Sequence, residues 1–486
     1  MTETAGTART VPVAERSCPD CGTTVVGGGQ YVSWCAACDW NVDPEARDEE
    51  APGRIERLRR RIARHAGEQL FRELTAGTGP VPGPEATAGP GLAPGAVPTG
   101  AVPAPGGAAE GAVPGTAGPE SGTGTGARRG GQGGTRSGAA RKLALGLASL
   151  VHGVTLALFA GGLWLLVACW GRGALPVFGA LAIGTAVLLR PRFGSLSKAT
   201  EHKVVLRRAD APRLFALLDE VAGSVGTTGA SAVVVDADTN AGVTTYGPRG
   251  HRVLHLGLGL WEILSPQERL ALLGHEFGHY SHGDTRRSFV VGNALHSLDT
   301  WRHTLAPERP DGLMDLFVNL VTAPPRLLVD GVLALLEHLT LRDAQRAEYR
   351  ADAAAARVAG TEAAAGLMDR LLVSDGVTGE LRRESVAART RFGGARREDP
   401  AEGLWERLAA HAAAVPEHEY ERLRRAAERR GHQVDSTHPP THLRHRRLMC
   451  DERAEALVVL TPQRAAEVDA ELSGARRTVA RELVRG

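Results

Sequence analysis

Near the middle of the chain, His275-Glu276-Phe277-Gly278-His279 sets two imidazoles four positions apart with a carboxylate beside the first. On a helix this spacing puts both rings on one face about one turn apart, so both can bind one metal ion. Glu276 projects beside them, close enough to take a proton from an activated water and later give it to a leaving amine. A catalytic zinc usually takes three protein ligands and keeps one position open, so a third ligand must come from elsewhere. Roughly seventy residues on, Arg346-Ala347-Glu348-Tyr349-Arg350-Ala351-Asp352-Ala353 repeats the four-residue logic among helix formers. Glu348 can reach the metal, and Asp352, one turn later, can accept a hydrogen bond from a ligand histidine and fix its tautomer.

A second constellation lies at the start of the chain. Cys18-x-x-Cys21 and Cys35-x-x-Cys38 present thiolates two by two, which suits a tetrahedral zinc site and a reducing compartment better than disulfides. Residues 17–44 therefore read as a small zinc ribbon, with Gly27, Gly28 and Gly29 in its turn and Tyr31, Trp34 and Trp40 available to cover the metal knuckles. Cys169 and Cys450 stand alone and read as structural.

The elements that must position these groups are partly legible. Ser265-Pro266-Gln267-Glu268 is a capping box with proline at the first helical position, opening a helix through Leu270 to Ser281. His282, three residues past His279, is expected to face solvent. Leu214 to Ala222 reads as a helix, Ala232 to Val235 and Arg252 to Leu256 as short strands, and Ala409 to His432 as a long charged helix.

With 486 residues the chain is long enough for two or three globular pieces plus linkers. Its 57 basic and 55 acidic side chains leave a net charge of +2, too balanced to make nucleic acid the expected partner. Residues 1–45 hold the ribbon and 46–74 a charged helix with a thin apolar stripe of Ile55, Leu58, Ile62, Leu70 and Phe71. Residues 75–140 are a Gly/Ala/Pro-rich stretch with too few large apolar groups to order itself, expected as a disordered linker. No signal peptide opens the chain, since Met1 to Val13 lacks an apolar core.

Within 141–192, Leu143 to Trp170 is long enough to cross a hydrocarbon core of about 30 Å, and Ala174 to Leu189 returns after Gly171-Arg172-Gly173, which predicts a transmembrane helical hairpin. Arg128, Arg129, Arg136, Arg141 and Lys142 precede it and Arg190, Arg192, Lys198 and Lys203 follow it, while the turn has only Arg172. Both ends are expected to face the cytoplasm, at the cell membrane. The later apolar stretch Leu313 to Leu341 carries Pro324, Pro325, Arg326, Asp330, Glu337 and His338, and reads as one or two helices that pack on the protein or dip into the membrane edge.

Over about Leu206 to Leu448 these residues resemble the M48 family of zinc metallopeptidases. The likeness rests on the His-Glu-x-x-His helix running into Tyr280-Ser281-His282-Gly283-Asp284, on the Glu348 and Asp352 segment, and on Thr437-His438-Pro439-Pro440 followed by Arg444 and Leu448. The resemblance implies that His438 stabilises the oxyanion of a tetrahedral intermediate, that Arg444 braces the site, and that Asn240 and Ala241, as substrate-binding residues, form the segment just before a substrate-pairing edge strand. It also implies peptide-bond hydrolysis in membrane protein quality control, as in the family's heat-shock members.

The expected fold is a mainly α zincin-type protease domain (198–486) with a small β-sheet, joined to the hairpin and the ribbon. The expected cofactors are two Zn2+ ions, one catalytic at His275, His279 and Glu348 and one structural in the ribbon. Expected partners are protein or peptide substrates, membrane lipid and a protein docking on the ribbon. The rival from another class is a catalytically silent membrane scaffold that recruits a partner through its ribbon; Glu276 argues against it, because a structural site needs no base.

Overall fold

The computed structural model describes residues 16–28, 30–44, 54–76, 133–190, 201, 203–247, 250–281, 285–307, 309, 312–391, 399, 401–430 and 438–485. Outside them lie Met1 to Val13, Gly29, residues 77–132 of the expected linker, Arg128, Arg129, Arg192 and Lys198, His282 to Asp284, and Thr437; of Ile55, Leu58 and Arg136 only the backbone is described. In chain order the elements are α1 (Arg54–Thr75), α2 (Gly133–Ala168), α3 (Leu175–Leu189), β1 (Val204–Leu206), α4 (Pro212–Ser224), β2 (Ala232–Asp236), β3 (Ala241–Tyr246), β4 (His251–Gly257), α5 (Leu258–Trp261), α6 (Pro266–Gly278), α7 (Thr285–Thr304), α8 (Leu313–Ala359), α9 (Thr361–Leu372), α10 (Ser374–Arg391), α11 (Leu404–Ala413), α12 (Glu417–Arg430), α13 (Thr441–Cys450) and α14 (Pro462–Arg485). Helix dominates and the sheet is small, as the sequence implied.

The strands lie in the order β1-β2-β4-β3, with β2 and β4 parallel and both outer pairs antiparallel. Side chains alternate between the two faces of a strand. Val233 and Val235 of β2 and Leu254 and Leu256 of β4 therefore point into the main core, where they meet Leu214, Phe215 and Leu218 of α4 and Leu270, Leu273 and Phe277 of α6. The other face carries a smaller cluster of Ala232, Val234 and Val253. Helix α6 opens as the sequence predicts: Glu268 N–H donates to Ser265 Oγ at 3.3 Å and Ser265 N–H donates to Glu268 Oε2 at 2.7 Å. Its far side is tied to α14 through buried Arg269, which meets Asp469 at 2.8 Å.

A second cluster joins α2, α7 and α8 through Ala144, Ala148, Val151, Ala294, Leu298, Trp301, Val329, Leu333 and Leu336. Helices α2 and α3 form a hairpin whose outer surface exposes Leu156, Trp164, Val167, Phe178 and Leu181. The first half of α8 likewise exposes Leu313, Phe317, Leu320, Leu327 and Leu328. Gly138–Ala168 and α8 are each long and apolar enough to cross a membrane.

Two sequence expectations change in form. Leu313 to Leu341 and the Glu348 segment are one 47-residue helix. Pro324 and Pro325 sit inside it, in an exposed stretch where a lost backbone hydrogen bond presses on few neighbours. The long charged helix over Ala409 to His432 is instead two helices, α11 and α12, separated at Ala414-Val415-Pro416; proline lacks the N–H a helix interior needs and its ring crowds the preceding turn.

Candidate metal centre

The site forms where α6 crosses α8, and small residues make the crossing close. A Cβ added at Gly278 would lie 2.9 Å from Ala354 Cβ and 3.1 Å from Ala351 Cα; one at Gly274 would lie 3.1 Å from Val358 Cβ. Glycine on α6 against alanine on α8 thus brings the two backbones near enough for short side chains to meet. The continuous core around Phe277, Ala354, Ala355 and Val358 holds them there.

Across this seam His275 Nε2 lies 3.2 Å from His279 Nε2 and 3.5 Å from Glu348 Oε2, and His279 Nε2 lies 3.6 Å from Glu348 Oε1. Ligand atoms about 2.0–2.1 Å from a tetrahedral zinc are about 3.3 Å apart, so the three fit one ion. Glu348 Oε2 is buried without a hydrogen-bond partner while two imidazole nitrogens face it, the situation that a cation between them would resolve. His275 is buried, whereas the His279 side chain keeps 27% of its surface open at the mouth, which leaves one side accessible.

Asp352 accepts from His275 Nδ1 at 3.0 Å, which leaves Nε2 to point at Glu348. Arg444, 2% exposed, grips Asp352 with Nε at 2.9 Å and Nη2 at 2.6 Å and stands 3.9 Å from Glu348. Its guanidinium thereby balances the buried carboxylates. His438 enters from the turn before α13, with Nε2 at 3.1 Å from Glu348 Oε2.

Burial alone would depress His275, but the hydrogen bond and charge of Asp352, with the Glu348 carboxylate close by, outweigh it and hold its pKa up at about 9. His279 moves the other way, to about 4, because burial and the neighbouring His275 charge both disfavour its cation. Burial, joined by the charge of Glu348, raises the Glu276 carboxyl, although His275 and a backbone N–H pull against the rise. A general base poised upward from the usual carboxylate range is better matched to neutral pH.

That backbone N–H belongs to Val243, which donates to Glu276 Oε2 at 3.3 Å. Gly257 N–H donates to Asn240 C=O, so residues 240, 242 and 244 face β4 and 241, 243 and 245 face the free edge of β3. Asn240 and Ala241 lie at the start of this edge, where Ala241 N–H is taken by Asn240 Oδ1 at 2.9 Å. The strand residue that meets the site is Val243, two positions later. Its C=O accepts from the Tyr280 hydroxyl, so Glu276 and Tyr280 hold both edge-facing groups of one residue. Sequence reasoning missed this role of Tyr280, although its place four residues after Glu276, on the same side of the helix path, was the available signal.

The cysteine cluster also assembles. Cys18 and Cys38 sulfurs lie 3.6 Å apart and those of Cys21 and Cys35 3.5 Å, close to the separation of about 3.8 Å expected around zinc with Zn–S bonds of about 2.3 Å. Trp34 is buried with Val42 against Ala426 of α12, and Arg425 stacks on its ring at 5.1 Å. Part of the ribbon surface is thus in contact with the chain's own α12.

An HExxH helix completed by a carboxylate from a second helix defines a class of sites, that of the helix-borne metallopeptidases. Within that class the chain belongs to Peptidase family M48, whose family model matches residues 208–450, half of its length. Among curated relatives it is 29% identical over 150 residues to Protease HtpX of Pseudomonas putida (strain GB-1), covering 29% of this chain and 48% of that protein. It is 32% identical over 164 residues to Protease HtpX homolog of Pyrobaculum calidifontis (31% and 44%), and 28% identical over 212 residues to Protease HtpX of Pseudomonas paraeruginosa (41% and 70%). The chain spans about half the length of the first of these relatives. No solved structure matches it.

Proposed function

We propose that the chain is a membrane-anchored, zinc-dependent endopeptidase that cuts protein substrates in membrane quality control, with its N-terminus and protease domain facing the cytoplasm. The observation that carries this reading is the convergence of three ligand atoms and one free base: His275, His279 and Glu348 fit a single ion while Glu276, from the same helix, stays out of the ligand set beside them. Bound there, zinc supplies a lowered water pKa and polarises the scissile carbonyl. Asp352 holds His275 in the tautomer that presents Nε2, and Arg444 holds Asp352. Glu276 releases Val243 N–H, takes the proton from the attacking water and returns it to the leaving amine. His438, whose Nε2 stands 3.1 Å from the same Glu348 oxygen that faces His275, stabilises the developing oxyanion. The outward groups of β3, at Ala241, Val243 and Thr245, offer an extended substrate a strand to pair with.

The anchor consists of the α2–α3 hairpin and the apolar half of α8, whose large exposed apolar surface needs a hydrocarbon partner. The reading is tested on the detergent-solubilised chain by comparing zinc content and casein cleavage with Glu276→Gln, with chelator added and then removed. The expected result is loss of cleavage by about 10²–10⁴-fold in the variant, with the zinc content of both clusters retained. Equal cleavage in parent and variant would assign the activity to a contaminant.

A further inference from the structure

The ribbon is the feature the proposed reaction leaves unused, and it does not hang free. Asp39 and Asn41, in left-handed backbone at φ 58° and 56°, form its second knuckle. Asp39 meets Arg425 at 2.7 Å and Arg429 at 3.1 Å, both on α12. Arg422, buried with Glu419, donates to Val42 C=O at 2.8 Å, and Tyr31 donates to Ala414 C=O at 3.0 Å. Asp43 pairs with Arg430, the last residue of α12, through Nε at 2.6 Å.

Helix α1, next in the chain, reaches the same region from another side. Arg64 donates to Arg430 C=O. Gly67 packs so closely on Pro440 that an added Cβ would lie 3.0 Å from the ring Cδ. Fully buried Gln345 of α8, three residues before Glu348, donates to Ala63 C=O at 3.2 Å. α12 packs on α13, the helix that follows His438, so the N-terminal segment holds α12, touches Pro440 two residues after His438, and touches the helix that delivers Glu348.

We propose that the ribbon and α1 form a brace that positions His438 against Glu348, so that metal in the Cys18, Cys21, Cys35 and Cys38 cluster governs the competence of a catalytic site it does not touch. The physical link is direct. A segment of this size with Trp34 and Val42 as its buried apolar residues cannot fold on hydrophobic burial alone, so its metal-binding energy is its folding energy. Loss of that metal removes Asp39, Asp43 and the Val42 carbonyl from α12 together, and α12, which packs on the helix after His438, loses its anchor. Arg64, Asp43 and Gly67 are positioning residues; none reaches the metal centre. The inference rests on the protease reading only for its effect on turnover.

The test uses the full-length, zinc-loaded chain in detergent, with amide hydrogen exchange over 438–450 and over α6 as an internal control, zinc content, and kcat and KM on casein. Three variants approach the brace differently: Cys35→Ser removes the ribbon metal, Asp43→Ala cuts the Arg430 pair with both metal clusters intact, and Gly67→Ala presses on Pro440. Alanine is the better helix former by about 1 kcal/mol, so a stability argument without the brace predicts that Gly67→Ala is harmless or helpful.

Each is expected to raise exchange over 438–450 at least about tenfold with α6 unchanged, and to lower kcat by about tenfold to a hundredfold at constant KM, the scale of a misplaced catalytic group. Asp43→Glu is expected to restore most of both. Unchanged exchange over 438–450 in Cys35→Ser would overturn the proposal, and so would faster cleavage, which would make the ribbon an inhibitor. A parent chain that cuts nothing would count against the protease reading, while the exchange data would still decide the brace.

Discussion

The two candidate metal sites among the described residues are built on opposite principles. At the crossing of α6 and α8 the ligands ride on helices buried in the largest core of the molecule, and their orientation is set by protein groups: Asp352 on His275, Arg444 on Asp352. In the ribbon, the ligands sit on turns whose backbone pairing consists of isolated bridges at Ser17 with Thr24 and Val26 with Trp34. The first is held in place by protein groups and would receive a metal at a finished site; the second would be finished by its metal. The difference teaches which of the two answers to metal supply by changing shape and which only by changing chemistry.

The sharpest way to break that comparison is to chelate both metals and follow hydrogen exchange by region. Residues 16–44 are expected to lose all protection, since structural zinc supplies on the order of 10–16 kcal/mol to such units, while α6 and the second half of α8 keep theirs. Parallel loss in both would show that the catalytic site is not preorganised.

Next in size is Asp352→Ala, which takes from buried Arg444 its two hydrogen bonds and leaves it only the Glu348 carboxylate at 3.9 Å. A loss of roughly 3–5 kcal/mol in unfolding free energy is expected, together with a 10–100-fold weaker metal affinity at the catalytic site. Denaturant melts and metal competition would measure the two; zinc in the ribbon should be unaffected.

The pH response comes third and has a definite sign. In the metal-free chain, His275 has a folded pKa of about 9 against an ordinary 6.5, so its contribution is complete below pH 6.5 and disappears as pH rises through 9. His279, held at about 4, works on the other side: its contribution is present above pH 6.5 and lost as pH falls toward 4. Metal-free stability in the protease domain should therefore peak near pH 6.5, and zinc uptake at pH 7 should release a proton from His275. A flat profile between pH 6.5 and 9 would remove the Asp352 and Glu348 effect on which the preorganised picture depends.

The smallest expected effect is that of Gly278→Ala, which forces α6 and α8 apart at Ala354. Overpacking of this kind costs about 1–3 kcal/mol. If preorganisation is a matter of helix proximity, metal affinity at His275 and Glu348 should fall along with the melting midpoint.

What the sequence revealed follows the same division. His275, Glu276 and His279 could be placed because the spacing of four is fixed by helix geometry, and the capping box at Ser265 fixed where that helix starts. Glu348 and Asp352 could be paired with them by chemistry, although nothing local says that α8 passes α6 at that level; the Gly274 and Gly278 seam against Ala351 and Ala354 decides it, and single small residues carry no such message before the fold is known. The edge role of Val243 was hidden because it belongs to backbone atoms, and backbone atoms have no sequence signature. The docking of the ribbon on α12 was hidden too: Arg422, Arg425, Arg429 and Arg430 look like solvated charge on an arginine-rich helix until Asp39 and Asp43, almost four hundred positions away, are brought beside them.

The continuity of α8 has a last consequence. One continuous helix bears an apolar surface at its beginning and Glu348 only seven residues beyond Leu341, a rise of about 10 Å. A globular domain of a hundred residues has a radius of gyration of about 13 Å, so a folded domain resting on the bilayer cannot bring an interior peptide bond to that height. On the proposed reading as an anchored protease, this helix would admit loosened polypeptide near the lipid surface and turn away a domain that is still compact.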